Sequence, residues 1–456
     1  MNNIAEVVKN QHTYFKNNKS RDLSFRIEQL KKLKSVLKKH EDHFMEAIKK
    51  DFQKPALESY GTEIGFLYSE IDHILKHIKK WAQTERVWGS FINFPSRNYI
   101  YRQPYGVALV IGAWNYPLLL SLSPALGAIA AGNCTIIKPS EISRHTSPLL
   151  ADIINSNFEE GYLRVIEGAA ETTQKLLDEP LDYIFFTGST RVGKIIMGKA
   201  AEQLTPLTLE LGGKSPAIVH SDADVSTAAR RIVWGKFINA GQTCVAPDYV
   251  YVHKDLKESL LKSLKQEITG FYGTDPQKSP DYARIINSKH FNRLKGYLEN
   301  GTIVTGGQTD EQELFIAPTI LEDIAWEDKV MQEEIFGPLL PVMPYENLNE
   351  IMNTIREKPT PLSLYLFTGN KDIEKKTINE LPFGGGCIND TIAHLGNLNL
   401  PFGGLGQSGF GNYHGKSSFD IFSHKKSIMK KPTWLDNPMR YAPYSGKLKW
   451  LKKLFN

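Results

Sequence analysis

The chain has 456 residues, too many for one hydrophobic core, and its 41% hydrophobic content is that of a globular protein. No apolar run approaches the ~18 residues of a membrane-spanning helix, and the start "MNNIAEVVKNQHTYFKNN" lacks a secretion-signal core. The net charge of +5 gathers in "HKKSIMKK" and "GKLKWLKKLFN", without basic tracts interleaved with aromatics, and the three cysteines have no zinc spacing. These features argue against nucleic-acid binding, a disulfide framework and a metal site, and they fit a reducing compartment such as the cytoplasm.

In chain order, the first ~85 residues read as helices, with periodic apolar positions in "FRIEQLKKLKSVLKKHEDHFMEAIKKDF". "SRNYIYRQP" alternates like a strand. Five apolar runs follow, "GVALVIGAW", "CTIIKPS", "LRVIEG", "YIFFTGS" and "LTLELGG", separated by helical patterns. This alternation predicts an α/β fold, a doubly wound parallel sheet with helices on both faces. A second β/α series runs from "PAIVHSDAD" to about Asn389. A glycine-rich stretch and a lysine-rich tail close the chain.

Ligands of doubly wound sheets bind beyond the carboxyl ends of the strands, and the polar motifs fall there. "TGSTRVG", Thr187 to Gly193, follows a strand and opens a helix. Its free N–H groups would suit a phosphate, yet a capped helix start explains it equally well. Lys138 and Glu141 in "IIKPSE" fit either a ribose or a surface ion pair. Glu210 ends the strand of "LELGG", as a desolvated general base or as half of an ion pair. Asn115 in "AWNYP" reads as an oxyanion donor or as a turn residue. Cys244 stands in "NAGQTCVAPD" among small, polar, turn-forming residues, unlike a packed structural cysteine. Together these parts suggest a thiol that adds to an aldehyde, a hydride passed to a nicotinamide, and a thioester released by activated water.

Those motifs, with "QEEIFGP" and "LPFGGLGQSGFGNYHGKSSFDIFSH", resemble the aldehyde dehydrogenase superfamily from about Tyr60 to Lys430. The wording is similar to its class-three branch, which includes fatty-aldehyde enzymes. The resemblance implies NAD(P)-dependent oxidation of medium- or long-chain aliphatic or aromatic aldehydes by a Rossmann-type domain, a catalytic domain and a bridging element that builds a homodimer. Cys244 would be the nucleophile and Glu210 the base. Asn115 and the Cys244 N–H would form the oxyanion hole. Lys138 and Glu141 would hold the adenosine ribose. Gly188, Ser189, Thr190, Arg191, Val192 and Gly193 would face the pyrophosphate. Glu334 would hold the nicotinamide ribose and Phe336 the ring, with Trp114 and Leu211 also in the cofactor site.

The implied domains are 1–85 with 104–209 for the dinucleotide, 210–400 for catalysis, 86–103 with 401–440 for bridging, and a tail at 441–456. A CoA-acylating dehydrogenase would not need Glu210. A non-redox thiol hydrolase would need a histidine beside Cys244. Cys134 and Cys387 are read as structural or unpartnered. The tail forms an amphipathic pattern, with Leu448, Leu451 and Leu454 or Phe455 on one face. Docking on the protein, at the mouth of the substrate tunnel or on the partner subunit, is the favoured reading of that face, with weak contact to an anionic membrane as the other.

Overall fold

In the computed structural model, which describes residues 3–455 and side chains through Lys453, the β/α alternation closes into two sheets. The first has six strands in the order Gly409–Phe410, Leu207–Glu210, Tyr183–Thr187, Val107–Ile111, Cys134–Lys138, Leu163–Val165. All neighbours are parallel except the first pair. Val107–Ile111, Cys134–Lys138 and Tyr183–Thr187 are buried throughout, which explains their unbroken apolar runs: helices cover both faces. The helix Pro117–Ala131 starts with proline, where no N–H is needed, and ends at Gly132 in the left-handed region. The N-terminal helices Leu23–Lys39 and Gly65–Trp81 pack on it, burying Leu30, Leu33, Ile71 and Ile74.

The second sheet has seven strands in the order Thr302–Thr305, Thr319–Glu322, Leu339–Tyr345, Tyr249–His253, Pro216–Val219, Ser363–Phe367, Gly385–Ile388. It is parallel apart from its first strand. A third, antiparallel sheet joins Glu85–Val87, Arg97–Pro104 and Ser423–Lys430, in register from Ser423 beside Pro104 to Lys430 beside Arg97.

The glycine-rich stretch has a physical reason. The strand Gly409–Phe410 returns to the first sheet and pairs Gly409 with Glu210. Gly409 has φ +130°, and a Cβ there would stand 2.0 Å from the Leu209 carbonyl oxygen. Only glycine fits so close an approach.

The tail forms the helix Lys447–Phe455. Leu448 and Leu451 are exposed, so these two side chains do not pack on the body of their own chain. The side chains of Leu454 and Phe455 lie outside the described residues. No helix of the described residues is long and apolar enough to cross a membrane, and no metal-binding cluster occurs among them.

Candidate active site

A cleft of about 1040 Å³ opens where the strand ends of the six-stranded sheet meet the segments bearing Cys244 and Glu334. Every cofactor and catalytic residue expected from the sequence lines it except Gly193. Gly193 sits just behind: a Cβ there would meet Leu211 Cδ2 at 2.7 Å, so its bareness lets the helix Thr190–Glu202 approach the Glu210–Leu211 strand end.

At one end of the cleft the helix starts at Ser189, whose hydroxyl accepts from the Val192 N–H at 3.4 Å. The Gly188 N–H donates to the Glu210 carbonyl at 3.0 Å. Thr190 and the exposed Arg191 border the same opening. Lys138 is buried and its Nζ lies 2.9 Å from Glu141, which is exposed. The two residues form an ion pair, and the pair lines the cleft.

At the other end the backbone before Cys244 is contorted. Asn239 (φ 53°, ψ 30°), Ala240 (φ 51°, ψ 36°) and Gly241 (φ 74°) make three successive left-handed residues, all buried. A Cβ on Gly241 would stand 2.3 Å from the Gly337 carbonyl oxygen. Buried hydrogen bonds hold this turn. Asn115 Nδ2 donates to the Gln242 carbonyl at 3.0 Å, and Asn239 Nδ2 donates to the Asn115 carbonyl at 2.9 Å. Gln242 Nε2 reaches the Asn239 and Arg284 carbonyls, each at 3.0 Å. The Asn239 N–H donates to Glu58 at 3.0 Å, and the Tyr116 hydroxyl meets Thr243 Oγ1 at 2.6 Å.

Burial pushes the Cys244 thiol up, and the charges of Glu334 and then Glu210 add to it. Burial likewise raises Glu210 well above the usual carboxylate range, and neither of its carboxyl oxygens has a partner among the described residues. Glu334 is raised too, by burial first and then by Asp248, and its Oε1 is unpartnered. Burial thus disfavours the charged forms of the thiol and of both carboxyls.

The cleft fits a dinucleotide. It offers a helix N-terminus for phosphate, the Lys138–Glu141 pair for a ribose, and the unpartnered Glu334 oxygen for a second ribose. The family model for the aldehyde dehydrogenase family matches residues 1–428. The chain belongs to the aldehyde dehydrogenase family.

Its relatives include the 4,4'-diaponeurosporen-aldehyde dehydrogenase of Staphylococcus aureus, 47% identical over all of both chains. The dimeric NADP-preferring aldehyde dehydrogenase of Rattus norvegicus is 43% identical, covering 98% of this chain and 99% of its own. The solved substrate-bound state of Staphylococcus aureus AldH superimposes with a TM-score of 0.98 at 46% identity over the whole of both chains. This aldehyde dehydrogenase is an NAD(P)-dependent oxidoreductase that oxidises aldehydes.

Sequence reading misses several residues of its cleft. Arg293 lines it and donates to the Glu334 and Ile335 carbonyls at 3.4 and 2.8 Å, holding the Glu334–Phe336 segment. His290 packs at 4.9 Å from the Trp114 ring, and burial lowers it to about 4, leaving it neutral. Trp114 in turn meets Phe336 edge-on at 5.2 Å. No local motif marks Arg293 or His290; their roles arise from tertiary contact. Cys387 also differs from expectation. It has a partner, since His394 Nδ1 stands 3.4 Å from its Sγ. Cys134 is fully buried.

Proposed function

We propose that Cys244 attacks the aldehyde carbon, and that Asn115 Nδ2 and the Cys244 N–H stabilise the resulting oxyanion. NAD(P), when bound, supplies the hydride acceptor. Glu210 then takes a proton from the water that releases the acid from the thioester. Lys138 and Glu141 hold the adenosine ribose. Gly188, Ser189, Thr190, Arg191, Val192 and Gly193 serve the pyrophosphate. Glu334 serves the nicotinamide ribose, and Trp114, Leu211 and Phe336 border the ring. The observation that carries this reading is the meeting of the Cys244 thiol with an unpartnered, buried Glu210 carboxyl in one dinucleotide-sized cleft. The test is rapid mixing of enzyme, aldehyde and NAD, with and without CoA. A burst of reduced nicotinamide followed by CoA-independent acid release is expected. Acyl-CoA as the product would overturn the role of Glu210.

A second reading of the base has its own support: Glu334 lines the same cleft as Cys244, and its Oε1 is unpartnered. In that reading Glu334 takes the thiol proton and Glu210 the water proton.

Long apolar aldehydes are the proposed substrates, in keeping with the 4,4'-diaponeurosporen-aldehyde in the name of the Staphylococcus aureus relative. A chain-length series ranked by kcat/KM tests this. The proposed domains are 1–85 with 104–209, 210–400, and the bridging segments 86–103 and 401–440. The proposed assembly is a homodimer. Two strands with a free edge, Ser423–Lys430 and Gly385–Ile388, support it, since such edges invite pairing between chains. Sedimentation at two concentrations checks the mass. The cytoplasm is the proposed location, consistent with three free cysteines. The tail at 441–456 is proposed to contact a membrane surface weakly, its Leu448 and Leu451 being exposed beside Lys447, Lys449, Lys452 and Lys453.

A further inference from the structure

Two segments leave the three-stranded sheet at the same end. Val87 and Met429 both pair with Asn98, so the three residues stand side by side across the sheet. Beyond Val87 the chain loops through residues 88–96 before it re-enters at Arg97. Beyond Lys430, the partner of Arg97, it runs on into the tail. Neighbouring strands lie ~4.8 Å apart, so loop and tail start within about 10 Å of each other.

Both segments expose large apolar side chains. In the loop, Trp88 is 100% exposed, Phe91 80% and Phe94 72%. In the tail, Trp434 is 78% and Trp450 68% exposed, with Leu448 and Leu451 beside them. So many exposed aromatic rings in two adjoining segments mark an interaction surface. The charge around them is one-sided. Of 55 basic and 50 acidic side chains in the chain, six basic and one acidic, Asp436, lie between Lys431 and Lys453, and the remainder of the chain carries no net charge.

This combination selects the partner. A second copy docking through the same face would set one basic cluster against another, with like-charge repulsion. An anionic bilayer meets both needs: tryptophan and phenylalanine settle at the headgroup level, and lysines gain from the surface charge. We propose that the loop 88–94 and the tail 431–453 form a single face that docks on an anionic lipid surface, with Trp88 and Phe91 entering the headgroup region. The inference rests on the tail contact proposed above and adds the loop as its second anchor. It would bring the enzyme to aldehydes dissolved in lipid.

Vesicle flotation tests it, using the full-length enzyme and phosphatidylcholine vesicles with and without phosphatidylglycerol. The parent enzyme should float only with the phosphatidylglycerol vesicles, and less so at high salt. The double variant Trp88→Ser/Phe91→Ser should bind those vesicles at least about tenfold more weakly. It should keep the parent's sedimentation and its turnover of a short soluble aldehyde. Equal binding by the double variant overturns the role of the loop while leaving the tail contact standing. Absence of parental binding overturns both. A change in oligomeric state in the double variant assigns the face to an interface between copies and overturns the lipid reading. Lys449→Glu/Lys453→Glu provides the charge control: binding that survives it overturns the electrostatic half of the proposal.

Discussion

Two loops meet at the cleft and are built in opposite ways. The loop from Thr187 to Gly193 is relaxed. Ser189 has ordinary extended angles, φ −74° and ψ 149°, caps its helix and faces the open cleft. The loop from Phe237 to Cys244 is strained and buried, with two left-handed residues that are not glycine. Each such residue costs ~1–2 kcal/mol, and hydrogen bonds donated by the Asn115, Asn239 and Gln242 side chains, with one from the Asn239 N–H to Glu58, over-determine the turn. A mobile ligand can be met by an unstrained helix start. The thiol of Cys244 follows a buried turn whose backbone is fixed.

The largest expected effect breaks the strained side. Cys244→Ser should lower kcat by about 10⁴-fold or more, because a hydroxyl without a base is a poor nucleophile. Nucleotide binding, served by the other loop, should persist in a fluorescence titration. Loss of binding as well would show that the two loops are not independent.

Glu210→Gln should slow steady-state turnover by about 10²–10⁴ while leaving a burst of about one reduced cofactor per site. Glu334→Gln run in parallel separates the two carboxyls: a vanished burst there supports Glu334 as the acceptor of the thiol proton. Asn115→Ala should cost about 10²–10³ in kcat, and a loss under tenfold would reduce Asn115 to its bond with Gln242.

Smaller effects sharpen the comparison. Glu141 is exposed, so Glu141→Ala should shift the NADP-to-NAD ratio of kcat/KM upward by less than about tenfold. Ala240→Gly should raise stability by about 1 kcal/mol in a denaturant titration, since glycine accepts φ 51° without strain. A loss of stability there would mean that the turn is not strained.

The parts of this enzyme legible in its sequence are those set by neighbours along the chain. Apolar runs of four or five residues announce buried parallel strands, and polar residues just after them, such as Lys138, Asn115 and Glu210, fall at the cleft because strand ends do. Cys244 stands out because its flanks are turn formers. What sequence cannot show depends on distant packing. Glu58 touches Asn239 from 181 positions away, and Arg293 grips the backbone of Ile335 across 42. The Cys387–His394 pair spans only seven positions, yet it forms because the chain folds back beside an edge strand. The tail helix is legible from its period, whereas its exposure is not, since amphipathicity says nothing of what meets the apolar side.

The strand Gly409–Phe410 carries a consequence for biosynthesis. Glu210 is made halfway through translation, but its sheet edge is closed only by residues synthesised some two hundred positions later. The segment that closes the edge must carry glycine at that point, because the approach admits no side chain. A chain still on the ribosome therefore has an open sheet edge beside Glu210. Closure of that sheet edge waits for completion of the polypeptide.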